Sequence, residues 1–303
     1  MADMPVHEPG ASAEALGFLA RIERWAAVDT SADVAALRAA LLARLRSDQA
    51  AHPANGLLHQ LAARALGLAD AGLHRGEPPP ELRVQLAQSC AAERADLEGA
   101  RAAVVRTASA LLTERGAWVS TLSGGTTVRA ALLELHDRER GPRALVGEGR
   151  PLLHGRALAS ALGQAGVPTW LVVDAALPML LSQTSALWLG ADAVTDRGAI
   201  VAVGGYGAAL AAREHSVPVY VLAPRRKFLP GTTAALQIEE RPPAEVWDTP
   251  PAGVRPRNVH AEMVPLELLC GVVVEDGVLG PTEAATVARE RPLPGPLAGA
   301  ADR

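Results

Sequence analysis

Along the first third of the chain, apolar residues recur every three or four positions. The spacing is clear in Ala13-Glu14-Ala15-Leu16-Gly17-Phe18-Leu19, from Val34 to Leu45, from Leu57 to Leu68 and from Ala91 to Leu112, and it predicts helix after helix between about Ser12 and Glu114. Breaks fall at Ala51-His52-Pro53 and at Gly76-Glu77-Pro78-Pro79-Pro80, where proline and glycine interrupt the pattern. Pro80 to Glu114 reads as one extended helix or two. After Gly116 the texture changes to short apolar runs separated by helical stretches. The runs predict strands at Trp118–Leu122, Ala144–Gly147, Trp170–Asp174, Leu187–Leu189, Val219–Ala223 and Val272–Glu275, with helices at Thr127–His136, Gly155–Ala165, Pro178–Ala186 and Gly205–His215. That alternation implies a mostly parallel sheet covered on both faces. The expected fold class is therefore α/β: a helical N-terminal domain over residues 1–115, then a sheet domain over 116–303. The proline-rich segments Arg241–Pro256 and Arg291–Pro296 read as a surface excursion and a loose tail.

Composition narrows the function classes. The chain has 303 residues, 49% apolar and 20% charged, enough to fill one large core or two smaller ones and too apolar for global disorder. A net charge of −4 argues against binding nucleic acid by bulk charge. Cys90 and Cys270 form no CxxC, so no disulfide framework or cysteine-rich zinc site is signalled. His52, His154, His215 and His260 lack HxxxH or HExxH spacing, so no metal is expected, and no motif calls for a cofactor. The most apolar stretch, Val167 to Leu189, is interrupted by Pro168, Asp174, Pro178 and Ser182, which fits a buried sheet better than lipid. The first residues carry no basic region followed by an apolar one. A soluble, cytoplasmic protein without a membrane partner is expected. Lys227 is the single lysine.

Ligands of a parallel sheet bind at the carboxyl ends of its strands, so the loops there hold the candidate chemistry. Ser123-Gly124-Gly125-Thr126-Thr127 runs straight into a helix; it offers either a phosphate cradle or a glycine turn with a hydroxyl cap. In the next loop, Glu148, Arg150 and Arg156 could bind a sugar hydroxyl and a phosphate, or form an internal ion pair. Asp174 and Asp192 close two further strands, either as turn caps or as the paired carboxylates that proton transfer on a sugar needs. Gly204-Gly205-Tyr206-Gly207 before a helix offers a second phosphate nest.

The ordered set of these loops resembles one family. Leu-Ser-Gly-Gly-Thr-Thr at 122–127, Glu-Gly-Arg-Pro-Leu-Leu-His-Gly-Arg at 148–156, Val-Val-Asp-Ala-Ala at 172–176 and Gly-Ala-Asp-Ala-Val at 190–194 look like the superfamily of the regulatory alpha, beta and delta subunits of translation initiation factor 2B. That superfamily also contains methylthioribose-1-phosphate isomerase and ribose-1,5-bisphosphate isomerase. The resemblance runs from about 116 to 281, through Lys227-Phe228 and Pro265-Leu266-Glu267-Leu268, and touches the helical part thinly at Ala51-His52-Pro53-Ala54-Asn55. It implies a Rossmann-like sheet domain, a homodimer or higher homo-oligomer, and a pocket for a phosphorylated sugar or nucleotide. In the isomerase branches a first-loop cysteine and the aspartate of Gly-Ala-Asp move protons; these positions fall on Ser123 and Asp192.

Three departures remove charge or reactivity at that site. Ser123 stands where the isomerases have cysteine, and a serine hydroxyl stays protonated at neutral pH without a strong neighbouring base. Val201-Ala202-Val203-Gly204-Gly205-Tyr206 lacks the Asn-Lys pair of the family, and His52 replaces its arginine. On these grounds the expectation is a non-catalytic member binding a nucleotide monophosphate or sugar phosphate through Gly124, Gly125, Thr126, Thr127, Glu148, Arg150, Arg156, Asp174, Gly204, Gly205 and Lys227. The alternative is an aldose–ketose isomerase of a phosphorylated ribose. It would use Asp192 as acid/base, with Ser123 or His154 as the second group.

Overall fold

The computed structural model describes residues 10–231, 238, 240–291 and 293–298. Four helices come first: α1 (Ala11–Val28), α2 (Val34–Ala51), α3 (Gly56–Arg75) and α4 (Pro79–Leu111). Their ends follow from side-chain chemistry. Asp33 accepts a hydrogen bond from the Ala36 N–H, Asn55 accepts one from Leu58, and Gly76 closes α3 in the left-handed conformation at φ 66°. Pro79 and Pro80 open α4, where a missing N–H costs nothing. The 33-residue α4 is one helix. Its first half buries Leu82, Leu86 and Leu97 with α1, α2 and α3, while Val104, Val105 and Ala108 in its second half belong to the core beneath the sheet.

The rest of the chain builds two sheets from β1 (Trp118–Leu122), β2 (Arg143–Gly147), β3 (Thr169–Val172), β4 (Ala186–Gly190), β5 (Ala193–Val194), β6 (Gly198–Ala202), β7 (Val219–Leu222), β8 (Ala261–Pro265), β9 (Gly271–Val274) and β10 (Gly277–Leu279). The interleaved helices are α5 (Thr126–Asp137), α6 (His154–Gln164), the one-turn α7 (Leu177–Leu180), α8 (Gly205–Glu214) and α9 (Pro281–Arg289). The main sheet has the order β10-β9-β7-β4-β1-β2-β3, parallel except for β10. Successive residues point to opposite faces: Leu187 and Leu189 join the core with α8 and α9, and Ala186 and Trp188 the core with α4, α5 and α6. Burial on both faces explains the unbroken apolar runs of the inner strands β4, β7 and β9. Strand order reverses between β1 and β4, which leaves a crevice at their carboxyl ends.

Several expectations need correction. The strand predicted at Trp170–Asp174 stops at Val172, because the Asp174 carboxylate turns back to accept hydrogen bonds from the Gly149 and Arg150 N–H groups. Pro178–Ala186 is no continuous helix: α7 gives way to a 3-10 turn, and Ala186 already belongs to β4. The antiparallel sheet β5-β6-β8 goes unpredicted, since β5 has only two residues and β8 joins β6 from far along the chain. The tail is not loose where it is described. Leu297 is 2% exposed in the helical core, and Arg46 and Gln49 donate to the carbonyls of Pro296 and Leu297. Among the described residues no helix is long and apolar enough to cross a membrane, and no cluster of His, Cys, Asp or Glu could hold a metal.

Candidate active site

The crevice holds an open cavity of about 210 Å³. Its floor is the loop after β4. Asp192 is fixed through its backbone: its N–H donates to the Ile200 carbonyl at 2.8 Å, and its carbonyl accepts from the Gly56 N–H at 3.0 Å. The second contact brings the start of α3 directly onto the floor. A Cβ at position 56 would lie 2.7 Å from the Lys227 carbonyl oxygen and 2.9 Å from Ala193 Cβ, so only glycine permits this approach. Lys227 ends a 3-10 turn after β7 and is 5% exposed. Its Nζ donates to the Ala191 carbonyl at 2.6 Å.

These two charges oppose the cost of their own burial. Burial pushes the Asp192 carboxyl up; Lys227 opposes this, Glu14 adds to it, and a hydrogen bond from the Ala11 backbone draws it down. Burial pushes the Lys227 ammonium down against the pull of Asp192 and Glu14. A carboxyl whose pKa is raised is a stronger base than a free aspartate, the direction that proton abstraction in general acid/base catalysis favours.

The walls come from several more segments. Ser123 to Thr127 line one side, and Ser123 sits in the left-handed region at φ 70°. A Cβ on Gly124 would come within 2.8 Å of the His154 carbonyl oxygen, so the first two loops touch because one residue is glycine. Among the described residues no side chain caps the N-terminus of α5, which leaves its N–H groups and the Thr126 and Thr127 hydroxyls beside the cavity. Arg150, His154, Arg241 and His260 also line the cavity. The first turn of α1 covers the rest. Asn55 Nδ2 donates to the Ala11 carbonyl (3.0 Å) and to Glu14 (2.8 Å), and His52 Nδ1 stands 3.3 Å from Glu14. Burial, and secondarily the charge of His260, push the His154 imidazole down, toward the neutral form.

Of the residues singled out in the sequence, Ser123, Gly124, Gly125, Thr126, Thr127, Arg150, Asp192 and Lys227 meet in this cavity, with His52 and His154. Five others do not line it. Arg156 and Glu148 bind each other at 2.6 Å, the ion-pair reading of that loop. Asp174 shapes the turn at Gly149 and Arg150. Gly204 and Gly205 begin α8, whose Tyr206 N–H donates to the Glu262 carboxylate at 2.8 Å. That carboxylate already occupies the site where a phosphate would sit. Sequence reasoning missed Glu14, Asn55, Arg241 and His260 as wall residues. Asn55 carries a legible signal, an N-cap just after a helix break; the other three carry none.

Residues 8–281 match the model of the Initiation factor 2 subunit family. Among curated proteins, the chain is 33% identical over 199 residues to the 5-deoxyribose 1-phosphate isomerase of Moorella thermoacetica, covering 62% of this chain and 57% of that protein. It is 33% identical over 197 residues to the methylthioribose-1-phosphate isomerase of Cronobacter sakazakii, covering 60% and 58%. The chain thus spans less than two thirds of the length of these relatives. Among solved structures, the translation initiation factor eIF-2B of Pyrococcus horikoshii superposes with a TM-score of 0.77 at 23% identity, over 91% of this chain and 93% of that one, which shows a shared fold. The expectation of a non-catalytic binding protein does not stand: the curated relatives at 33% identity are named isomerases. The three departures counted against catalysis leave Asp192 on the cavity floor.

Proposed function

Because the chain belongs to the Initiation factor 2 subunit family, we propose that its cavity isomerises a pentose 1-phosphate from the aldose to the ketose form, with Asp192 as the acid/base. A sugar phosphorylated at C1 is locked as a ring. To become a ketose it must open at the ring oxygen, lose the C2 proton and gain one at C1. A carboxylate on the cavity floor that takes the C2 proton and returns it at C1 meets the last two demands. The observation that carries the reading is Asp192 on the cavity floor, its carboxyl raised by burial with Lys227 opposing.

The substrate's phosphate would lie against the N-terminus of α5, where Thr126 and Thr127 add hydroxyl donors and Arg150 and Arg241 bring positive charge. A small set of pentose 1-phosphates, including the 5-deoxy and 5-methylthio sugars, followed by phosphorus NMR, tests the reading. Turnover that falls by roughly 10²- to 10⁴-fold in Asp192→Asn supports it. Wild-type protein that converts none of them, or a D192N variant that converts them normally, refutes it.

The same reading includes self-association. β3 is the outer strand of the main sheet, and Trp170, Leu171, Val173 and Met179 on and just after it are all 45–68% exposed. An open sheet edge beside an apolar patch is a surface that a second copy of the chain would cover. Sedimentation should give a dimer for the wild type and a monomer for Trp170→Asp; a wild-type monomer would sink this part.

A further inference from the structure

Ring opening and ketone formation need a second proton-handling group besides Asp192. Ser123, on the wall, is a poor one, since its hydroxyl holds its proton at neutral pH. Resting on the isomerase reading above, the geometry points to His260 as that group, with Glu245 as the positioning residue that holds its ring.

Three observations converge. His260 lines the cavity, and its backbone is pinned there: the Val203 N–H donates to the His260 carbonyl at 3.0 Å, and Val203 is itself a wall residue. The ring is oriented, with His260 Nε2 lying 2.5 Å from Glu245 Oε2. The carboxylate is oriented in turn, because the same oxygen accepts from Asn258 Nδ2 at 2.7 Å, and Asn258 also donates to the Pro242 carbonyl at 2.9 Å. Asn258 is 1% exposed, so the Asn–Glu–His chain is anchored from inside the protein. A carboxylate behind a histidine fixes its ring orientation and selects its tautomer, while Nδ1, which carries no hydrogen bond among the described residues, remains for a substrate. His154 is the weaker choice. It makes no side-chain hydrogen bond among the described residues, and burial and His260 hold it toward the neutral form.

The step balances without a co-reactant. Protonated His260 gives its proton to the ring oxygen as the bond between that oxygen and C1 breaks. Asp192 takes the C2 proton, and those electrons form the C1–C2 double bond of an enol phosphate. His260 then takes the proton of the C2 hydroxyl as the ketone forms, and Asp192 returns its proton to C1. Both residues end as they began.

The test uses the full chain with 5-deoxyribose 1-phosphate. His260→Ala should lower kcat by roughly 10²- to 10⁴-fold with little change in KM, and added imidazole should restore part of the lost rate. Glu245→Gln should also lower kcat, by less, with KM and melting temperature retained. His260→Gln, close in size and polarity, separates folding from chemistry and should be as slow as the alanine variant. Near-normal turnover in H260A or H260Q overturns the assignment. So does a loss in H260A that imidazole cannot rescue and that a lowered melting temperature accompanies. If the wild type is active and D192N is dead while H260A works, only the role of His260 falls. If the wild type converts no pentose 1-phosphate, the isomerase reading falls and takes this assignment with it.

Discussion

Replacing Lys227 with Met isolates the electrostatics of the cavity floor. The side chains are similar in length, so no large cavity opens, and the change is mainly the loss of a buried ammonium. Two consequences can be separated. The Ala191 carbonyl loses its 2.6 Å charged donor, a loss of about 1.5–3 kcal/mol. Asp192, which forms no direct ion pair with Lys227, also loses the nearby cation that opposes its desolvation, and leaving a buried charge uncompensated costs up to about 3–5 kcal/mol in total. The second part depends on pH. The Asp192 carboxyl is already raised in the folded state and rises further without Lys227, so the folded variant holds a proton that the unfolded chain releases. Its stability then falls as pH climbs from the unfolded aspartate value through the folded one. The Lys227 ammonium of the wild type is pushed down by burial, so wild-type stability rises toward alkaline pH, and this term has the same sign. Urea unfolding should therefore show a deficit of about 3–5 kcal/mol near pH 8 that shrinks toward the hydrogen-bond share near pH 4. The double variant K227M/D192N should recover part of the loss near pH 8. A deficit of equal size across that range, or a double variant no better than K227M, would refute the account of Asp192 as the charge left uncompensated.

Three other outcomes are expected. Gly56→Ala forces a Cβ within 2.7 Å of the Lys227 carbonyl and should cost about 1–3 kcal/mol in a thermal melt, with turnover reduced because the same backbone contact holds Asp192; an unchanged melt would remove the claim that glycine is required there. Arg156→Met breaks an ion pair whose arginine side chain is 56% exposed, so stability should change by less than about 1 kcal/mol and KM should stay put, whereas a large rise in KM would return Arg156 to the binding site. Burial, with Glu23 adding, pushes the Cys90 thiol up to about 11, while Cys270 is exposed; iodoacetamide at mildly alkaline pH should label Cys270 alone in the folded protein and both thiols in urea, and early labelling of Cys90 would contradict its burial.

The sequence by itself determined the elements whose cause is local. Helical periodicity, the His52-Pro53 break, the Asn55 cap and the apolar runs of a sheet buried on both faces are properties of neighbouring residues, and they place α1 to α6, β1, β2, β4 and β7 within a few positions. The two-residue β5 is too short to show a period, and only the pairing of β8 with β6 across a long sequence gap completes the second sheet. The same division holds at the site. Ser123 to Thr127 and Asp192 were legible because loops at the carboxyl ends of parallel strands converge by topology. Glu148, Arg156 and Asp174 look alike as sequence, yet bonds to near neighbours consume them. Only the tertiary structure decided that. It also brought Glu14, Arg241 and His260 to the walls from a helix, a proline-rich loop and the edge of a three-stranded sheet. Charge and burial act through space, so how far the Asp192 carboxyl is raised depends on Lys227 and the first turn of α1, which lie about thirty-five and one hundred and eighty residues away along the chain but beside it in the fold.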